Sequence, residues 1–112
     1  MLFRSLDYCR RHHIQVQAWS PVATGQLFNP PAGAPENIRQ TAALVQQLAS
    51  EKGTNPTAIL LAWLLRHPAG IMPVIGTTRP QRIREGCAAT GVTLSREEWF
   101  SLLSAAMGAP VP

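Results

Sequence analysis

The chain has 112 residues, of which 46% are hydrophobic and 14% charged, with a net charge of +4, three His and two Cys. This length and composition predict one globular domain and exclude a disordered chain, and no apolar run reaches the roughly 18 residues that span a membrane. The two cysteines have no metal-type spacing and the first residues lack the apolar segment of a signal peptide, so we expect reduced thiols in a cytoplasmic protein.

Helices and strands alternate in the pattern of hydrophobic residues. Apolar residues recur at helical spacing in five segments, and two short segments rich in β-branched or apolar residues are typical of strands. The predicted elements are, in chain order, a helix over 3–13, a strand over 14–19, a loop over 20–35, helices over 36–52 and 56–67, a strand over 71–76, and helices over 80–89 and 96–107.

Local signals set several helix ends. Gly53 is a helix stop, and Asn55 is a good N-cap with Pro56 at the first helical position. Ser95 and Glu98 have the spacing of a capping box, which predicts the start of the last helix.

The order of elements indicates a parallel α/β arrangement, because strands separated by helices pair in parallel. Residues 58–65 are apolar on all sides, so we expect that helix to be buried by neighbours in several directions. A (β/α)8 barrel of about 250 residues holds eight such units, and this chain holds two. A fragment of such a barrel is therefore predicted. The alternative is an autonomous helical domain with a two-stranded ribbon.

The first candidate site follows the first strand, at Trp19, Ser20, Pro21 and Gly25. Ligands bind at the carboxyl ends of parallel strands, where the indole ring could stack on a planar heterocycle and the nearby donors could bind a phosphate oxygen. The alternative is structural, with Trp19 in the core and Ser20 starting a turn.

The second candidate site follows the second strand and contains the densest group of cations. Its residues are Gly76, Thr77, Thr78, Arg79, Arg82 and Glu85. Gly76 allows close approach of the backbone to a ligand, and the start of the next helix favours an anion. Arg79 and Arg82 are i, i+3 neighbours that could converge on a phosphate, while Glu85 could orient Arg82 or accept from a ribose or amino group. The alternative is Thr78 as an ordinary N-cap before a solvated basic helix face.

The sequence offers few groups for catalysis. The three His have no Cys or carboxylate at metal-ligand spacing, and both Cys are expected to face the core. The chain has one Asp, one Tyr and one Lys, at Asp7, Tyr8 and Lys52. We therefore expect no catalytic residue and no metal site. The scattered basic residues outside 79–84 also argue against a nucleic-acid partner.

Several ordered motifs together resemble the C-terminal portion of an aldo-keto reductase from a bacterial oxidoreductase branch. They are residues 17–22 with Gly25, 53–56, 61–68, 73–78 and 82–85. The resemblance implies that residues 1–112 are a partial aldo-keto reductase domain. Its fold would be the C-terminal part of a (β/α)8 TIM barrel, about the last two βα units plus the C-terminal helix.

The resemblance also implies an NADP(H) cofactor and a small-molecule carbonyl substrate in the intact enzyme. Trp19 would stack on the nicotinamide, and the pyrophosphate would be lined by Ser20, Pro21, Val22 and Gly25. The adenosine 2′-phosphate would be held by Gly76, Thr77, Thr78 and Arg82, with Arg79 close by and Glu85 at the adenine. The next position, often Asn in relatives, is Gly86 here.

The catalytic Asp, Tyr, Lys and His of the family belong to earlier strands. The resemblance therefore implies a cofactor-binding part that lacks the tetrad, whose partner is the missing N-terminal barrel portion or a second copy through self-association. It implies no nucleic-acid or membrane partner. The alternative is a non-catalytic nucleotide- or protein-binding module derived from the same fold.

Overall fold

The computed structural model describes residues 2–19 and 32–108. It contains five α-helices, a parallel two-stranded sheet and one 3₁₀ turn within these residues. The elements are, in chain order, α1 (Leu2–Arg11), β1 (Gln17–Trp19), α2 (Glu36–Lys52), α3 (Pro56–Arg66), β2 (Met72–Val74), α4 (Pro80–Cys87), the 3₁₀ turn (Ala88–Gly91) and α5 (Arg96–Met107). Within the described ranges, none of the helices has the length and apolar character needed to cross a membrane.

The two strands lie side by side and run parallel, as the alternation of strands and helices predicted. Gln17 pairs with Met72 and Trp19 with Val74. Each strand has three residues, so the predicted bounds of 14–19 and 71–76 were too long. The backbone adopts a positive φ at His13, which precedes β1, and at Gly76, which follows β2, and the chain turns at both residues. Gln15 then joins the strand starts through its side chain, which donates to the Gly70 carbonyl at 2.7 Å.

The helix ends follow the predicted capping signals. Helix α2 stops at Gly53, whose left-handed φ of 64° suits glycine. The Asn55 carboxamide oxygen accepts from the N–H of Ala58 at 2.9 Å. At the start of α5, the Ser95 hydroxyl accepts from Glu98 N–H at 3.1 Å, and Ser95 N–H donates to the Glu98 carboxylate at 2.7 Å. Both the N-cap and the capping box are confirmed.

Helix α3 lies at the centre of the core, between α2 and the segment that contains the 3₁₀ turn and α5. Its middle is buried, from Ala58 to Ala62, and packs with Val45 and Leu102 in one apolar cluster. The expectation of burial on all sides is wrong at Leu65, which is 45% exposed because nothing in the described part of the chain covers that last turn. Cys87 was also expected in the core. It is exposed, because α4 buries only Gly86.

Two tryptophans join α3 to α5. The rings of Trp63 and Trp99 stack with centroids 4.5 Å apart and planes 4° from parallel. Each indole N–H donates to the other residue's carbonyl, at 3.0 Å from Trp63 to Trp99 and at 2.9 Å from Trp99 to Trp63. Trp63 is one of the last four residues of α3, whose carbonyls have no partner within the helix. The Trp99 indole therefore caps the carboxyl end of α3.

We expect His67 to make the stability of the fold depend on pH. Burial lowers the pKa of His67 below its ordinary 6.5, the charge of Arg10 lowers it further, and Asp7 acts in the opposite direction. Its Nδ1 accepts from the N–H of Ala69 at 3.0 Å, so protonation removes an acceptor that the fold uses. Below pH 6.5 the unfolded chain takes up a proton that the folded chain resists, so stability falls with pH between that value and the lowered pKa.

We expect the free energy of unfolding to decrease more for the wild type than for His67→Asn when pH is lowered from about 7.5 to about 5.5. The asparagine oxygen can accept from Ala69 N–H but does not titrate in this range, so the variant is a matched control. Urea unfolding at both pH values measures the difference. Identical pH dependence in the two proteins would show that His67 carries none of it.

Candidate functional site

The chain turns sharply between β2 and α4. Gly76 has a φ of +45°, a left-handed conformation that side chains rarely adopt, and a Cβ built there would meet no atom within 4 Å. Glycine is therefore required by the backbone conformation and not by a lack of room. The Thr77 hydroxyl oxygen accepts from the N–H of Arg79 at 3.2 Å. The N-cap of α4 is Arg79, so the alternative with Thr78 as an N-cap is wrong.

An open cleft of about 610 Å³ lies between the amino-terminal ends of α3 and α4. Its lining comes from the starts of both helices and includes two guanidinium groups, one side-chain amide and one carboxylate: Pro56, Thr57, Arg79, Pro80, Gln81, Arg82 and Glu85. Both arginines of the predicted anion site therefore face one cleft. Arg84 lies on the same helix but outside this lining. The structure places Arg79, Arg82 and Glu85 together in the lining of this cleft.

The cleft is cationic. Within residues 2–19 and 32–108 the ion pairs are Arg39 with Glu36 and Lys52 with Glu98, so neither cleft arginine is paired with a carboxylate there. The Glu85 carboxylate instead accepts from the Gln81 amide at 3.4 Å, one helical turn away. The expected orientation of Arg82 by Glu85 is therefore not what the structure shows. The first N–H groups of α4 add partial positive charge at the same end.

A side chain that the sequence did not single out for the site holds the cleft wall in place. Asn55 caps α3 with its oxygen, and its Nδ2 donates to the Glu85 carbonyl in α4 at 3.3 Å. At the residue after Glu85, a Cβ added to Gly86 would come within 3.2 Å of Leu61 Cδ1, so α4 packs closely on α3. Position 86 thus faces α3. The 30 residues that separate Asn55 from Glu85 hide this contact from sequence patterns.

The first candidate site is described only at its start. Trp19 is the last residue of β1 and pairs with Val74 at the carboxyl end of the neighbouring strand. The two predicted sites therefore follow adjacent parallel strands at the same end of the sheet, as expected. The other residues of this site, Ser20, Pro21, Val22 and Gly25, lie outside the described residues.

The single Asp, Tyr and Lys lie away from the cleft lining. Tyr8 is 59% exposed and its ring lies against His12, with centroids 4.3 Å apart. Lys52 pairs with Glu98 at 3.0 Å. In the part of the chain that the structure describes, no three His, Cys, Asp or Glu side chains are grouped so as to hold a metal ion. The cleft lining itself offers two guanidinium groups and one side-chain amide, which are donors that suit an anionic ligand.

Comparison with known proteins assigns this architecture. Residues 4–106 match the aldo/keto reductase family. The chain belongs to that family. The aldo/keto reductase chain is 41% identical over 106 residues to 6-dehydroglucose reductase of Agrobacterium fabrum, covering 95% of this chain and 34% of the relative. It is 30% identical over 112 residues to an oxidoreductase of Escherichia coli, covering 100% of this chain and 36% of the relative.

A solved structure agrees with these relatives. The crystal structure of a thermostable aldo-keto reductase with the inhibitor epalrestat superimposes with a TM-score of 0.73 at 26% identity, covering 89% of this chain and 32% of that one. The aldo/keto reductase chain thus spans about a third of the length of the relatives it matches. Its fold is part of a TIM barrel from an oxidoreductase family, which confirms the predicted fold class.

Proposed function

We propose that residues 1–112 form the NADP(H)-binding part of an aldo/keto reductase that reduces small carbonyl compounds. The cleft at the start of α4 carries this proposal, because Arg79 and Arg82 line it together without a carboxylate partner among the described residues. An unpaired guanidinium facing a cleft favours a phosphate ligand, which it can bind with two parallel hydrogen bonds.

The residues present fit the adenosine end of NADP(H). Arg82 and Arg79 would hold the 2′-phosphate, together with Gly76, Thr77 and Thr78 and the free N–H groups at the start of α4. Glu85 would accept from the adenine amino group once its weak contact with Gln81 is exchanged. Trp19, Ser20, Pro21, Val22 and Gly25 would hold the nicotinamide and pyrophosphate beside the neighbouring strand. When bound, the cofactor supplies the hydride that reduces the carbonyl.

The contribution of this chain to the reaction is binding and orientation. Asp7, Tyr8 and Lys52 lie outside the cleft lining, so none of them is positioned there to donate a proton to a substrate. We assign that role to the catalytic Asp, Tyr, Lys and His of the family, in the two-thirds that this chain does not span. Without a general acid the reduction loses one of its main sources of acceleration.

We therefore expect the isolated chain to be catalytically silent. Mixed with NADPH and aldehydes, it should cause no more loss of nicotinamide absorbance than buffer does. A chimera of the Agrobacterium relative, with the part matched by this chain replaced by this chain, should oxidise NADPH. Two relatives carry the name 6-dehydroglucose reductase, so 6-dehydroglucose is the first substrate to test.

Turnover by the pure isolated chain would contradict this division of roles. A folded chimera that binds NADPH without turnover would favour the non-catalytic binding module. Binding is measured separately by the change in NADPH fluorescence.

A further inference from the structure

One side chain ties the start of α3 to the last turn of α4. The Asn55 carboxamide accepts from the N–H of Ala58 at 2.9 Å, which caps α3, and its Nδ2 donates to the Glu85 carbonyl in α4 at 3.3 Å. The last four carbonyls of a helix have no partner within it, and Glu85 is one of these residues in α4. The two ends of one amide group therefore serve two different helices.

A second contact limits how closely α3 and α4 approach each other. Gly86 is buried, and a Cβ added there would lie 3.2 Å from Leu61 Cδ1, so the α4 backbone already lies against α3. The bond from Asn55 to the Glu85 carbonyl acts in the opposite direction, because it keeps α4 from moving away from the start of α3. Close packing at one residue and a hydrogen bond at its neighbour thus fix the distance between the helices.

The open cleft between the two helices depends on that distance. Its lining includes Pro56 and Thr57, which directly follow Asn55, and the two arginines Arg79 and Arg82 from the start of α4. Asn55 does not belong to the lining, so it acts on a bound group only through the residues that it positions. Two parallel hydrogen bonds from a guanidinium to a phosphate require a defined relative orientation, so a displacement of α4 weakens them.

We infer that Asn55 is a positioning residue for the 2′-phosphate of NADP(H), because it holds α4 where Arg79 and Arg82 can both bind that phosphate. The inference rests on the proposed function. A helix cap needs only an acceptor, whereas the Asn55 carboxamide also supplies the donor that reaches α4. NADH has no 2′-phosphate, so loss of this donor weakens NADPH binding more than NADH binding.

Asn55→Ser separates the two functions of the carboxamide. Serine is about as good an N-cap as asparagine, but it has no amide to donate to the Glu85 carbonyl. In the chimera with the Agrobacterium relative, we expect the variant to lower the ratio of NADPH affinity to NADH affinity by roughly threefold to tenfold. Fluorescence titration of both cofactors measures this ratio, which a general loss of stability would leave unchanged.

Asn37→Ser is the matched control. The Asn37 amide donates to the Ala106 carbonyl in the last turn of α5 at 2.9 Å, so this variant also loses one side-chain bond between two helices. Asn37 lies outside the cleft lining, and we expect its variant to leave the ratio of the two affinities within about twofold.

Arg82→Ala tests whether Asn55 acts through the arginines of the cleft. In the Arg82→Ala background, Asn55→Ser should lower the affinity ratio by less than it does in the wild type, because one of the two groups that it positions is gone. Independent sites would instead give losses that add.

Three results would overturn the inference: an unchanged ratio in Asn55→Ser, equal changes in Asn55→Ser and Asn37→Ser, or full additivity of Asn55→Ser with Arg82→Ala. In each of them the wild-type chimera still binds NADPH more tightly than NADH, so the proposed function stands. A wild-type chimera that does not bind NADPH would contradict the proposed function, and this inference with it.

Discussion

Arg82→Ala is expected to weaken NADPH binding roughly tenfold to a hundredfold and to leave NADH binding within a few-fold. The protein to test is the chimera in which this chain replaces the matching third of the Agrobacterium relative. Arg82 lines the cleft at the start of α4 without a carboxylate partner among the described residues. In the proposed site its guanidinium would gain a charge-assisted hydrogen bond only when the 2′-phosphate is present, and such bonds contribute about 1.5–3 kcal/mol.

Arg84→Ala is the matched control, because Arg84 is an exposed arginine of the same helix that does not line the cleft. It removes the same formal charge and should change the affinity for either cofactor little. Arg79 lines the cleft as well and can share the phosphate, which places the single Arg82 variant toward the lower end of the range. Fluorescence titration of both cofactors measures the effect. Equal losses for NADPH and NADH, or equal losses in the Arg82 and Arg84 variants, would contradict the assignment.

Trp99→Ala is expected to destabilise the chain by about 3–5 kcal/mol, a large fraction of the roughly 5–15 kcal/mol by which native domains are stable. Trp99 is 9% exposed, stacks on Trp63 and donates its indole N–H to the Trp63 carbonyl in the last turn of α3. The alanine variant therefore loses apolar burial, the ring stack and the cap together. Trp99→Phe keeps an aromatic ring and loses the donor, with an expected cost of about 1–3 kcal/mol for the carbonyl left without a partner.

Trp63→Phe is the informative comparison for that cap. The Trp63 indole donates to the carbonyl of Trp99, which lies in the first half of α5, where the helix itself can supply a donor. Losing this bond should cost less than losing the Trp99 bond to a terminal carbonyl of α3. Urea unfolding of the two phenylalanine variants measures the difference. If Trp63→Phe lowers the free energy of unfolding as much as Trp99→Phe does, the indole of Trp99 has no special role as a cap.

The sequence predicted best those features that depend on neighbouring residues. The bounds of α2 and the caps at Asn55 and Ser95 follow from side chains within three or four positions of a helix end, and the structure confirms them. The strand bounds depend on a partner far along the chain, so alternation over 14–19 and apolar character over 71–76 each predicted a strand that is too long. The same reason explains Leu65, whose apolar character says nothing about which polypeptide covers it.

The cleft was predictable in part. Arg79, Arg82 and Glu85 are separated by helical spacing, so their common location follows from the sequence. The contribution of Pro56 and Thr57 from α3, and the bond from Asn55 to the Glu85 carbonyl, depend on how α3 packs against α4. That packing uses the close approach at Gly86, which no local pattern distinguishes from a flexible glycine.

The strand pairing also has a consequence for the order of folding. Gln15 bonds to Gly70 across 55 residues of chain, whereas α2 and α3 are consecutive helices separated by three residues. Closing a long loop costs more entropy than closing a short one, so contacts close in sequence form first. The helical core around Ile59 and Val45 should therefore assemble before β1 and β2 meet, and the parallel pairing of the two strands should form last.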